Sequence, residues 1–151
     1  MTKRASKQMS VTRVQVILYT VAAVAALAGL AEATYLCVLA LTGETAVCGG
    51  STSCMEVLGS AYARVGGVPV AALGALAYFG VFSCATFAAF SYVRARMFFA
   101  LIVWTMFAFT LWLLYVQAFL LHAFCRYCLF SAAIIFLLSG IAVAMPTSDQ
   151  R

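Results

Sequence analysis

The chain has 151 residues, 66% of them apolar and 9% charged, where a soluble domain carries roughly 45–50% and about 25%. That balance excludes a water-soluble globule. It also excludes a disordered chain, which needs low hydrophobicity and high net charge. At ~20 apolar residues per helical crossing of a hydrocarbon core, the length allows four or five crossings in one compact membrane domain.

A basic leader, Lys3, Arg4, Lys7 and Arg13, precedes a first apolar run over residues 14–41. The run is longer than one crossing needs, so the helix is tilted or continues past the bilayer. The triplet Ala31-Glu32-Ala33 resembles a signal-peptide cleavage site, but apolar residues resume at Tyr35 and make the run too long for a signal core. A retained helix is expected, with Glu32 near its outer end, snorkelling or paired ahead of the alternative, a catalytic role.

Residues 42–67 form the longest polar interval and contain Cys48-Gly-Gly-Ser-Thr-Ser-Cys54, a composition that predicts a loop. Within it Ser53-Cys54-Met55-Glu56 matches a capping box and predicts a short amphipathic helix from Cys54 to about Val65. Cys54, Leu58, Ala61 and Val65 share one face of such a helix, and Glu56, Ser60 and Arg64 line another. The apolar face would rest on the bundle as a lid, turning Cys54 inward and leaving Cys48 available to an external partner.

A second apolar run, 68–90, follows Gly66-Gly67 and carries Pro69 at its first turn, where a missing amide proton costs nothing. After a short basic connector with Arg94 and Arg96 come a third run, 97–121, and a fourth, 125–145. The expected fold is an all-α membrane protein, a four-transmembrane-helix bundle with a short amphipathic helix on its outer face. Four crossings put Lys3, Arg4, Lys7, Arg13, Arg94, Arg96 and Arg151 on one side and only Arg64 and Arg126 on the other. By the positive-inside rule both cysteine pairs then face away from the cytoplasm, as in a bacterial inner membrane, where disulfides persist. The same placement accounts for the net charge of +5 and leaves nothing that points to nucleic acid.

Cys125 and Cys128, at i and i+3, share one face at the first turn of the fourth helix, where their sulfurs can approach closely enough to bond. The helix dipole, the unpaired amides and Arg126 favour a thiolate there, most strongly on Cys125. A mobile loop pair and a pair at a helix mouth can exchange disulfides. Electrons passing inward then need an acceptor suited to an apolar site; no flavin or nicotinamide motif is present, and a lipid-soluble quinone fits. Met106, Phe107, Phe109 and Trp112 are candidates for its walls, and Tyr62, Tyr78 and Gln117 for a quinone oxygen. His122, three residues before Cys125, is either a proton relay or a plain interfacial residue. Cys37 and Cys84 lie inside apolar runs and read as small hydrophobes. A zinc site is disfavoured by the unequal spacing of the two pairs and the oxidising side. Leu129 after Cys128 replaces the histidine of a haem attachment motif.

The order Cys48…Cys54, Ser60, Gly67-Val68-Pro69 and Cys125-x-x-Cys128 resembles the vitamin K epoxide reductase family in its bacterial form, over nearly the whole chain. The resemblance implies a four-helix bundle around a quinone, ubiquinone or menaquinone. Cys48 would receive electrons from a thioredoxin-like, DsbA-type partner, Cys54 would attack Cys125, and Cys128 would be the sulfur next to the quinone. Ser60 resembles the family's serine near the quinone, although the polar helix face drawn above would have to rotate to reach it. The vertebrate members hold the vitamin with an asparagine and a tyrosine; this chain has no asparagine, and Ala132 stands at the tyrosine position. Thiol oxidation for disulfide formation is therefore expected ahead of the alternative, reduction of a vitamin K quinone or epoxide. Many bacterial relatives carry a fused thioredoxin-like domain; its lack here implies a separate partner. A non-catalytic thiol-bearing membrane or metal-carrier protein is the alternative of another class.

Overall fold

The structure, a computed structural model, describes residues 2–42 and 52–145, and for residues 2–12, 53–55 and 58 the backbone alone. Cys48 lies outside the described residues, as do the side chains of Ser53 and Cys54. Among the described residues four helices are long and apolar enough to cross a membrane, and the chain is a multi-pass membrane protein. Helix α1 spans Thr2–Thr42 and passes unbroken through Ala31–Ala33, so the basic leader and the first apolar run are one element. The short α2 (Thr52–Gly59) is followed by a 3-10 turn (Ala61–Ala63) and two two-residue strands, β1 (Arg64–Val65) and β2 (Val68–Pro69). Helices α3 (Val70–Ala89), α4 (Val93–Tyr115) and α5 (Arg126–Ala144) complete the chain, with a π-helical turn over Val116–Leu121 after α4.

The expected amphipathic helix to Val65 is corrected here: α2 stops at Gly59, and Val65 sits in a hairpin, exposed, paired with Val68. The reason is the Gly66-Gly67 turn, with φ of 59° and 88°. Two successive left-handed residues form the tight turn that suits a two-residue hairpin, and a helix cannot run into it. Helix α4 likewise begins earlier than the third apolar run, so Arg94 and Arg96 lie in its first turn and the connector shrinks to Phe90–Tyr92. Backbone N–H groups of Phe90, Ser91 and Tyr92 turn back onto carbonyls of Thr86, Phe87 and Ala88 and close the end of α3.

The four long helices pack in a ring, α1 against α3 and α5, and α4 against α3 and α5. Small residues let α1 and α3 approach: Ala22, Ala26 and Ala33 of α1 are buried with Val81, Ala85 and Ala88 of α3. Close backbone approach between small residues is how helices gain packing energy where lipid removes the hydrophobic drive. Gly29 belongs to this seam, since a Cβ there would overlap the Tyr78 ring. The core continues through Phe99, Val103 and Leu138, with Tyr19 edge-on to Phe99 at 5.5 Å.

Candidate functional site

The end of the bundle that carries both cysteine regions is built by an irregularity in α4. The π turn opens the helix at Val116 and ends at His122, whose φ of 48° is left-handed. Histidine is among the side chains that tolerate this conformation best, and its exposed ring contributes no contact among the described residues to the site. His122 and Ala123 both donate their backbone N–H to the Gln117 carbonyl. The Gln117 side chain, buried in an apolar setting, reaches forward: its Oε1 accepts the backbone N–H of Cys125 at 3.3 Å, and its amide is within hydrogen-bond range of the Cys128 sulfur. One residue thus holds both ends of the turn and both cysteines in place. The sequence offers Gln117 as a contact for a ligand; what the structure shows is a brace of the cysteine pair that also lines the cavity described below. A straight helix to Leu121, as the apolar run suggests, would not allow this.

Cys125 is the N-cap of α5, with extended backbone (φ −93°, ψ 121°), and Cys128 is one turn in. Both are thiols in this structure. The Cys128 S–H bonded to it, the backbone N–H groups of Tyr127 and Cys128, and the Arg126 guanidinium stabilise a Cys125 thiolate against the opposing effect of burial, and hold its pKa down to about 6. An unperturbed thiol sits near 8.5. The sulfur takes the place of the capping oxygen usual at a helix start.

Over this pair lies α2. Val57 is buried against Cys125 and Ala123, with Leu121, Tyr127 and Cys128 around them. Among the described side chains of α2, Val57, one turn after Cys54, is the one turned inward. Ser60 falls beyond the helix, where its hydroxyl donates to the Val57 carbonyl at 2.8 Å and the residue lines the cavity described next. The rotation that the helical reading demanded of Ser60 is unnecessary, because α2 ends before it.

Between the four long helices is a cavity of about 340 Å³ with mostly apolar walls, within the ~300–1,000 Å³ typical of small-molecule sites. Its walls include Leu36, Gly74, Met106, Phe109, Leu113 and Ile135. Cys128, Ser60, Tyr62, Tyr78 and Gln117 all contribute to the lining, and so does Ala132; Cys125 lies behind Cys128, wholly buried. The Tyr78 hydroxyl donates to the Ser131 carbonyl at 3.2 Å and shares a 2.7 Å bond with its hydroxyl. Tyr62 lies edge-on to Trp112, which is tilted against Phe109. Phe107 is elsewhere, packed between Trp104 and Phe136. Cys84 packs on the core and Cys37 is half-buried on α1.

The sequence reading of Glu32 as snorkelling or paired is corrected by its position. The carboxylate lines the cavity, both oxygens are shut off from solvent, and neither has a hydrogen-bond partner among the described residues. It lies close enough to Cys125, Cys128 and Tyr78 to interact with them electrostatically. Helix α1 cannot turn it outward, since Ala33 and Leu36 on the adjoining positions are buried in the bundle.

An apolar chamber with the Cys128 thiol at its wall, and a carboxyl inside that has no hydrogen-bond partner among the described residues, suits a planar, lipid-soluble molecule with polar oxygens. Among known families, the model for the vitamin K epoxide reductase family matches residues 20–143. No curated protein matches the chain closely enough to be called a relative.

Proposed function

Because the chain belongs to the vitamin K epoxide reductase family, a family of membrane oxidoreductases of the thiol and quinone type, we propose that it oxidises an extracytoplasmic thioredoxin-like protein and delivers the electrons to a quinone. The observation that carries this reading is Cys128 in the wall of the apolar cavity, with the Cys125 thiolate behind it and α2, the bearer of Cys54, seated on Cys125. Cys128, Tyr62, Tyr78 and Gln117 are the residues that would hold the quinone, which supplies the two-electron acceptor chemistry when bound. Epoxide reduction finds less support, since Ala132 offers the cavity no hydroxyl and the chain has no asparagine.

The relay runs through four cysteines. The partner's dithiol reduces a Cys48–Cys54 disulfide, and the Cys54 thiolate attacks the Cys125 sulfur of a Cys125–Cys128 disulfide, leaving Cys128 as thiolate. Cys48 then attacks Cys54 and releases Cys125. A leaving thiol of low pKa departs faster, so the environment that stabilises the Cys125 thiolate drives the relay forward.

Cysteine trapping tests the reading. In Cys48→Ala, Cys54 cannot be resolved, and a Cys54–Cys125 mixed disulfide should accumulate and appear as a protected pair on alkylation gels. Free alkylation of Cys54 in that variant, with the bundle otherwise oxidised, would overturn the relay.

A further inference from the structure

The thiol relay gives no role to Glu32, and the cavity gives it no hydrogen-bond partner among the described residues. Holding a charged carboxylate in an apolar wall without a donor or cation is costly, and such a residue inside a membrane segment marks a functional path by default. Neither arginine nor lysine lines the cavity among the described residues. Three of the other polar groups there already have partners. The Tyr78 hydroxyl is bonded to Ser131, the Gln117 amide to Cys125 and Cys128, and the Cys128 thiol to Cys125. The titratable groups facing Glu32 are Tyr78 from α3, Cys128 from α5 and Cys125 at its start, with Tyr62 and Tyr127 further round the wall.

We propose that Glu32 is the proton-transferring acid of quinone reduction, handing a proton to a quinone oxygen inside the cavity. This rests on the quinone reading given above. Oxidation of the Cys125/Cys128 dithiol forms one S–S bond and releases two electrons and two protons, and the same two electrons and two protons convert quinone to hydroquinone. Glu32 gives its proton to one oxygen and takes up a proton released by the thiol pair, so it ends as it began. Its place on α1, across the ring from α4 and beside α5, puts the acid and the Cys128 thiol on the wall of one chamber.

The full-length protein, reduced at all four redox cysteines and mixed with a short-chain benzoquinone, provides the test. The single-turnover rate of dithiol oxidation should fall by about 100-fold or more in Glu32→Gln, in the range for loss of a general acid, while the quinone KM changes by less than about a factor of three. Glu32→Asp, which keeps the acid, should recover part of the rate. Infrared difference spectra, recorded as the benzoquinone is added, should show a carboxylic-acid band that changes in the parent, shifts in Glu32→Asp and is missing in Glu32→Gln; the aspartate comparison serves alone if the glutamine variant does not fold. Cys128→Ala is run beside them. If Cys128→Ala is inactive and Glu32→Gln stays within about a factor of two of the parent, or the carboxyl band does not change, the role of Glu32 is wrong and the quinone reading stands. Quinone-dependent oxidation that survives in Cys128→Ala overturns the quinone reading itself.

Discussion

The two halves of the bundle are made from the same kind of residue and do different things. Toward the basic end, Tyr19, Ala22 and Ala26 of α1 close against Val81, Ala85 and Ala88 of α3, and Phe99, Val103 and Leu138 fill the centre. Toward the cysteine end, the same four helices leave about 340 Å³ open, with Glu32, Gln117 and the thiol pair around it. In the closed half, the Arg96 guanidinium lies over the Tyr19 ring at 5.8 Å and donates to Gln15 at 3.4 Å, while its Nε is buried without a hydrogen-bond partner among the described residues. The open half keeps a whole carboxyl, neither of whose oxygens has a hydrogen-bond partner among the described residues. Solid packing fixes the helices, so that the hollow half can hold strained backbone and costly polar groups in register for chemistry.

This contrast breaks most sharply at Cys128. Cys128→Ala should abolish quinone-dependent oxidation while its thermal midpoint stays close to the parent's, because the residue borders open space. Next come paired substitutions. Ala132→Phe, projecting into the cavity, should raise the quinone KM by at least about tenfold with little change in stability. The same change at Ala85, which is wholly buried in the closed half, overpacks the core and should destabilise by about 1–3 kcal/mol. Thermal unfolding in detergent and quinone titration separate the two, and equal stability losses would mean that both halves are equally solid.

Gln117 tests whether the open half depends on its polar brace. Gln117→Leu leaves the Cys125 N–H without its acceptor, at a cost of about 1–3 kcal/mol, and should slow turnover through the thiols. In the parent, alkylation of Cys125 should be half-maximal near pH 6, where its thiolate forms. The folded-state pKa lies below the unfolded value of about 8.5, so this thiolate adds stability that is fully present above the unfolded value and is lost as pH falls through about 6. An alkylation midpoint at the ordinary thiol value would remove the basis for Cys125 as the favoured leaving group.

How much of this could be read beforehand differs along the chain for physical reasons. Four apolar runs of crossing length announce four helices, because lipid leaves the backbone no other solution. The cysteine pair at i and i+3 was equally legible, since its spacing alone puts two sulfurs at one helix mouth. Where α2 ends was not, because the capping box marks a beginning and the Gly66-Gly67 turn reaches back to set the end. The π turn at Val116–Leu121 has no mark in composition, and so the brace made by Gln117 stayed hidden behind an apparently continuous helix. Glu32 was misread because sequence places a residue along a helix axis but leaves open which way it faces; the direction came from Ala33 and Leu36, which the bundle buries beside it.

The smallest effects come from the two non-glycine residues that have left-handed backbone among the described residues, one at each end: Ser91 (φ 70°) and His122 (φ 48°). A residue with a Cβ pays roughly 1–2 kcal/mol in this conformation, and glycine removes that strain while adding freedom to the unfolded chain. Ser91→Gly should therefore raise the thermal midpoint slightly, by the equivalent of about 0.5–1 kcal/mol, and leave turnover alone. His122→Gly should give a similar gain, and turnover then reports on the imidazole. The ring is exposed and makes no contact with the cysteines among the described residues, so the expected result is parent-like turnover across the pH range. A loss confined to low or high pH would make His122 a proton carrier into the cavity, and the open end would then have a route to solvent that the closed end lacks.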